Sequence, residues 1–176
     1  TVALVNNAQR AHLQGMGSVN EVAREKGAIY DGLSAGGVAV INADDAFAGY
    51  WKAINVGRET LTFGLSEDAD VTARCTAHGF ACDLALSAPQ GEVQFRLQVP
   101  GLHNVRNALA ASAACLAAGV SLDAVAAGLG AYTGTPGRLH LRKTPELKFI
   151  ADDSIAHGME ITKKIETLVK EDGDAD

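Results

Sequence analysis

Residues 1–18 read TVALVNNAQRAHLQGMGS. The run from Thr1 to Val5 is almost wholly apolar and rich in valine, which suits a strand buried on both faces. It breaks abruptly at Asn6-Asn7 into a polar segment that ends in glycines. Ser18-Val19-Asn20-Glu21 then has the spacing of a capping box, so a helix begins directly after the loop. Strand, glycine loop and capped helix in that order predict the first unit of an α/β sheet. The loop falls where such sheets place ligands. His12 lies in that loop, and it is either a surface histidine or a metal ligand through a neutral ring nitrogen.

The helix that follows carries Val19, Val22, Lys26, Ile29 and Leu33 at alternating steps of three and four, one face of a helix. Lys26 therefore occupies the middle of an apolar stripe. A lysine there either lays its stem along the core edge and sends its amine outward, or it is desolvated and more nucleophilic. Such an amine pairs with a phosphate or carboxylate, or is carbamylated by carbon dioxide into an anion.

Further along, GVAVINADD (37–45) predicts a second buried strand ending in Asn42, Asp44 and Asp45, and ETLTFGL (59–65) a third. From Val71 to Val99 the pattern alternates, with turn signals at AHG (77–79) and APQGE (88–92), which predicts an antiparallel hairpin region. His103 to Ala118 is an alanine-rich helix closed by Gly119, and Ser121 caps another short one. TPGRLHLRK (135–143) and LKFIADDS (147–154) predict two more strands. Residues 158–169 read as an amphipathic helix before an acidic tail. Strands alternating with helices give an α/β fold with a mostly parallel sheet.

Three further places offer chemistry. Asn104 and Asn107 stand near the start of the long helix; one can be a plain cap, and with His103 the pair also suits a nucleotide base or ribose. Arg138, after Pro136-Gly137, is an ordinary surface arginine or a phosphate partner. Asp152-Asp153 ends a strand, either as an Asx turn or as carboxylates for ribose hydroxyls or a metal. No GxSxG, HExxH or GxxxxGK[ST] sequence occurs in the 176 residues.

Bulk properties narrow the class. The chain has 47% hydrophobic and 20% charged residues, as globular proteins do. A formal charge of −6 without a basic stripe argues against a nucleic-acid partner. There is no signal peptide and no apolar run long enough for a membrane span, so a soluble cytoplasmic protein is expected. Cys75, Cys82 and Cys115 lack zinc-like spacing and are expected to be reduced thiols.

Taken in order, NNAQRAHLQGMGS (6–18), VAREKGAIYDGL (22–33), VINADD (40–45), GLHNVRNALAA (101–111), TPGRLHL (135–141) and ADDS (151–154) resemble the Mur ligases of peptidoglycan synthesis. Within that family the match is best to the members that add D-alanyl-D-alanine to a UDP-linked muramoyl tripeptide. The resemblance covers Thr1 to about Ser154. It implies part of the central ATPase domain over residues 1–135 and the start of a Rossmann-like C-terminal domain over 136–176, divergent after Ser154. It implies ATP and Mg2+ as cofactors and an acyl phosphate on the route to a peptide bond. His12 then matches a magnesium ligand, and Lys26 the lysine that is carbamylated and helps to hold a second metal. Asn104 and Asn107 match contacts on the adenine side, and Arg138 and Asp153 contacts to ATP phosphates and ribose. Asn42 falls in a family motif without a defined role.

Departures accompany the match. The family's phosphate-binding loop precedes the equivalent of Thr1, Gln14 stands for a usual glutamate, and Leu102 for a usual arginine. A truncated ligase is the expectation, monomeric and unable by itself to ligate. Two alternatives are a non-catalytic scaffold that keeps the fold, and a ligase like folylpolyglutamate synthase, to which the AHLxGxGS motif is less well suited.

Overall fold

The computed structural model describes residues 1–9 and 18–134. His12, Arg138, Asp153, the two strands expected after residue 134 and the second domain expected from residue 136 lie outside the described residues.

Strands β1 (Val2–Val5), β2 (Val38–Asn42) and β3 (Glu59–Phe63) form a parallel sheet in the order β1-β2-β3. Val2 faces Val38 and Val5 faces Ile41, so equivalent residues of β1 and β2 share a face. β2 is buried along its whole length, as its sequence predicts, because both faces of the central strand are covered. In β1 only Ala3 and Val5 are fully buried; Val2 and Leu4 are half-buried. The expectation of burial on both faces therefore holds for β2 and only partly for β1, whose one strand neighbour among the described residues is β2.

Alternation divides the core in two. Ala3, Val5, Ala39 and Ile41 pack with Val22, Ala23, Tyr30 and Trp51 on one face. Val38, Val40 and Phe63 pack on the other with Val105, Leu109 and Ala113 of α3 (Leu102–Ala117) and with the second sheet. That second sheet is antiparallel, β4 (Thr72–His78), β5 (Ala81–Ala88) and β6 (Gly91–Leu97), turning at the two positions its sequence marks. Cys82, Leu84 and Leu86 face the core from β5.

α1 (Val19–Gly27) starts at Ser18, whose Oγ accepts from the Glu21 N–H at 3.3 Å. The capping box closes differently from its usual form, since the Glu21 carboxylate accepts from the Ser18 hydroxyl at 3.3 Å. The buried face of α1 is not the expected stripe. Val22, Ala23 and Gly27 are buried, whereas Lys26 and Ile29 are exposed. Two causes act together. The helix gives way to a 3-10 turn at Ala28–Gly32, which breaks the 3.6-residue period before Ile29. The small pair Ala23 and Gly27 also lets α2 (Ala48–Ile54), a helix the sequence did not announce, approach closely. A Cβ on Gly27 would lie 3.1 Å from the Trp51 ring.

Trp51 fills that contact, fully buried, and its Nε1–H donates to the Ala23 carbonyl at 3.0 Å. Tyr30, also fully buried, donates its hydroxyl to the Val40 carbonyl at 2.9 Å. Burial pushes the Tyr30 phenol from 10.0 up to about 12. The neutral phenol is thus favoured in the folded state, and its contribution is full below pH 10 and is lost as pH rises towards about 12. Tyr30→Phe should flatten the fall in urea stability over that window while costing about 1 kcal/mol at neutral pH for the lost hydrogen bond.

α3 (Leu102–Ala117) ends at Gly119, which adopts φ +85°, and α4 (Leu122–Ala131) is capped by Ser121 at Ala124 N. The expectation of reduced thiols is corrected for two of the three cysteines. The register sets Cys75 against Leu84 and Cys82 against Ala77, which makes them diagonal neighbours on one face. With Cα atoms 5.8 Å apart they are joined as a disulfide. Cys115 is a free, exposed thiol.

Candidate active-site edge

The carboxyl ends of the parallel strands, the first turns of α3 and the last turn of α1 converge at one edge. β1 delivers Asn6, Asn7 and Ala8 there, because its pairing with β2 stops at Val5↔Ile41 and the chain leaves the sheet. β2 delivers Asn42, Asp44 and Asp45. Lys26, at the end of α1, sends its Nζ to the Asn7 carbonyl, donating at 2.8 Å. Asn6 donates from Nδ2 to Asn107 Oδ1 at 3.4 Å, which ties the β1 exit to the second turn of α3. Lys26 and Asn107 are thus held by two consecutive residues.

Lys26 is exposed, which favours, of the two readings its place on the stripe allows, the one in which the amine points outward. Lys26 lines an open cavity of about 450 Å³ together with Leu4, Val5, Asn6, Asn7, Glu25 and Ile29. The apolar wall and polar mouth fit a lysine that lays its stem on a core edge.

Asn104 does not cap α3. The N-cap is Gly101 at φ +95°, without a side-chain cap. Asn104 instead turns its Nδ2 back to the Pro100 carbonyl at 2.7 Å, which pins the loop into the helix. The His103 ring lies over Gly101 so closely that a Cβ there would come within 2.7 Å of it. The positive φ and the ring together demand glycine.

The carboxylates at this edge serve the backbone. Asp44 accepts from Leu65 N at 2.7 Å and Ser66 N at 3.1 Å, tying β2 to the exit of β3. A Cβ on Gly64 would sit 2.7 Å from Asp44 Oδ1, so Gly64 keeps that approach open. Asp45 accepts from Ala8 N and from Phe47 N, each at 2.9 Å. Asn42, which the sequence left without a role, donates to the Asn6 carbonyl at 2.7 Å and accepts from Asp44 N at 2.9 Å. Sequence reasoning missed Asn6 and Asp45 as participants. The available signal was polar pairs placed directly after two buried strands, Asn6-Asn7 and Asp44-Asp45.

The donor set bears on which groups this edge could hold. Among the described residues no three His, Cys, Asp or Glu side chains gather into a possible metal site. Lys26 as an ammonium cannot ligate a cation, whereas a carbamate on the same Nζ would present oxygens of the kind magnesium takes. Asn107 and His103, on the opening turns of a helix of 16 residues, fit the edge of a base or a ribose.

A parallel sheet with helices on both faces, an antiparallel sheet packed on the α3 side, and polar groups gathered at the carboxyl edge define an α/β domain. Residues 1–115 match the Mur ligase middle domain, and the chain belongs to the Mur ligase family. It is 40% identical over 156 residues to the UDP-N-acetylmuramoyl-tripeptide--D-alanyl-D-alanine ligase of Escherichia coli (strain K12), covering 86% of this chain and 34% of that one. A crystal structure of MurF from Acinetobacter baumannii superposes with a TM-score of 0.76 at 34% identity, covering 82% of this chain and 32% of that one. A mutant folylpolyglutamate synthase of L. casei shares the fold, with a TM-score of 0.64 at 20% identity over 79% of this chain and 35% of that one. The chain spans about a third of the length of the curated relatives it matches.

Proposed function

We propose that these residues form part of the central domain of an ATP-dependent ligase that joins D-alanyl-D-alanine to UDP-N-acetylmuramoyl-tripeptide in peptidoglycan synthesis. The observation that carries the reading is the placement of Lys26 and Asn107 on the consecutive residues Asn7 and Asn6 at the carboxyl edge. The 40% identity to the Escherichia coli enzyme supports this substrate pair over a folylpolyglutamate-type one.

In this reading Asn107, with Asn104 holding the Pro100 loop, receives the adenine side of ATP. Lys26, carbamylated, and His12 hold magnesium, while Arg138 and Asp153 contact the phosphates and ribose. Magnesium, when bound, offsets charge on the phosphoryl group passing from ATP to the tripeptide carboxylate. The protein's own share is positional. Asn7 fixes the Lys26 Nζ, and the Asn6–Asn107 bond sets the distance between the lysine and the nucleotide-facing helix. The dipeptide amine then attacks the acyl-phosphate carbonyl, and the peptide bond forms as inorganic phosphate and a proton leave. We place the protein in the cytoplasm as a monomer acting on small molecules. No helix among the described residues is long and apolar enough to cross a membrane.

The 176 residues include no GxxxxGK[ST] loop to grip a triphosphate. The chain by itself should therefore release no phosphate from ATP when given the tripeptide and D-alanyl-D-alanine. Phosphate release that depends on both substrates would overturn that assignment.

A further inference from the structure

We propose that Asn42 and Asp45 are positioning residues that act on Lys26 through the backbone of Asn6–Ala8. Three consecutive residues at the β1 exit are each held by a side chain from elsewhere. Asn42 Nδ2 donates to the Asn6 carbonyl at 2.7 Å, Lys26 Nζ donates to the Asn7 carbonyl at 2.8 Å, and Asp45 Oδ2 accepts from Ala8 N at 2.9 Å. The lysine contact is thus bracketed on both sides by side chains from the end of β2.

Both brackets are themselves fixed. Asp45 Oδ1 accepts from Phe47 N at 2.9 Å, and Asn42 Oδ1 accepts from Asp44 N at 2.9 Å. Each side chain spends its second polar atom on the turn it springs from, so neither has to be ordered when it engages the β1 exit. The strand ladder does not fix that segment, because β1 pairs with β2 only as far as Val5↔Ile41. Asn42 is nearly buried at 8% exposure, where an unpaired amide would be costly, which locks its orientation further. A strand could leave this sheet into water without three side chains gripping its next three residues. The arrangement makes sense as a way to present the Asn7 carbonyl, and hence the Lys26 amine, in one place.

The inference deepens the ligase reading by adding residues to its lysine site, and its test uses neither nucleotide nor turnover. The 176-residue chain is acylated with trace acetic anhydride and the rate at each lysine is read by peptide mass spectrometry. Lys52, exposed on α2 and without a side-chain hydrogen bond among the described residues, is the internal reference. In the unaltered chain Lys26 should react about fivefold more slowly than Lys52, the factor one net hydrogen bond carries. Asp45→Asn has one oxygen for two backbone donors, and Asn42→Ala removes the donor to Asn6. Each should bring Lys26 to the Lys52 rate while circular dichroism and the Lys52 rate stay unchanged.

Lys26 remaining slow in either folded variant would overturn the proposal, as would equal rates in the unaltered chain. Unfolding of both variants would also overturn it, since the pair would then be fold determinants. A ligase whose activity fails while Lys26 is released as expected would sink the functional reading and leave this one standing.

Discussion

Lys26→Ala, placed in a ligase of full family length that carries these residues, is expected to lower kcat by about 10²–10³-fold, the loss typical of removing one group that stabilises transferring charge. The fold should hardly respond. Lys26 is exposed, and its one hydrogen bond among the described residues, to the Asn7 carbonyl, is worth about 1 kcal/mol net. An activity loss of that size with unchanged urea stability therefore cannot come from unfolding. Lys26→Arg separates two roles for the residue. Arginine keeps the positive charge and can reach the Asn7 carbonyl, but it does not form the lysine carbamate. If the carbamate is the working form, arginine should be as inactive as alanine. If the ammonium is, arginine should recover most of the activity. Steady-state ligation rates with bicarbonate present, beside a urea titration of each variant, decide the matter.

The largest effect on stability is expected at Trp51. Trp51→Ala should cost about 3–5 kcal/mol, as removal of a large aromatic side chain from a packed core does. The indole is fully buried, lies against Gly27, forms a tilted pair with Phe47 at 6.3 Å between ring centroids, and donates to the Ala23 carbonyl. Its removal opens the contact between α1 and α2 that holds the helix bearing Lys26. Trp51→Phe should cost less, since it keeps much of the apolar area, and the Ala23 carbonyl it abandons also lies within the α1 hydrogen-bond ladder. Trp51 is the chain's one tryptophan, so its fluorescence follows unfolding of the parent, while circular dichroism must follow the variants.

Much of the architecture was legible from residues alone, and the exceptions have physical causes. The valine runs at β1 and β2, the alternation of β4 to β6 and the alanine-rich α3 all carry strong periodic signals, and each element formed where expected. α2 carries none. It is seven residues long, has Phe47 at its N-cap without a side-chain cap, and includes Gly49, so only the tertiary seat of Trp51 makes it a helix. The Lys26 stripe misled because the 3.6 period stops at Gly27, where the chain tightens into a 3-10 turn. The Cys75–Cys82 link depended on register. The hairpin was visible, but a slip of one residue would have set the two cysteines on opposite faces.

The site was legible in its residue types more than in their contacts. Lys26 and Asn107, both singled out in the sequence, are tied to the consecutive residues Asn7 and Asn6 at the carboxyl edge. Asn104 was expected to cap or to face a ligand, and it holds the Pro100 carbonyl instead. Asn42 and Asp45 were noted at the end of the second strand but given no role, because their partners are backbone atoms of a segment 36 and 37 residues away, which no local pattern encodes.

The most direct test of the ligase reading is a chimera in which this chain's residues 1–134 replace the matching segment of the Escherichia coli relative. Phosphate release from ATP is measured with UDP-N-acetylmuramoyl-tripeptide and, in turn, D-alanyl-D-alanine, L-alanine, diaminopimelate or glutamate. The account predicts ATP turnover coupled to product with D-alanyl-D-alanine alone, lowered about 10²–10³-fold by Lys26→Ala. A folded chimera that consumes no ATP, or one whose turnover is indifferent to Lys26, would contradict it.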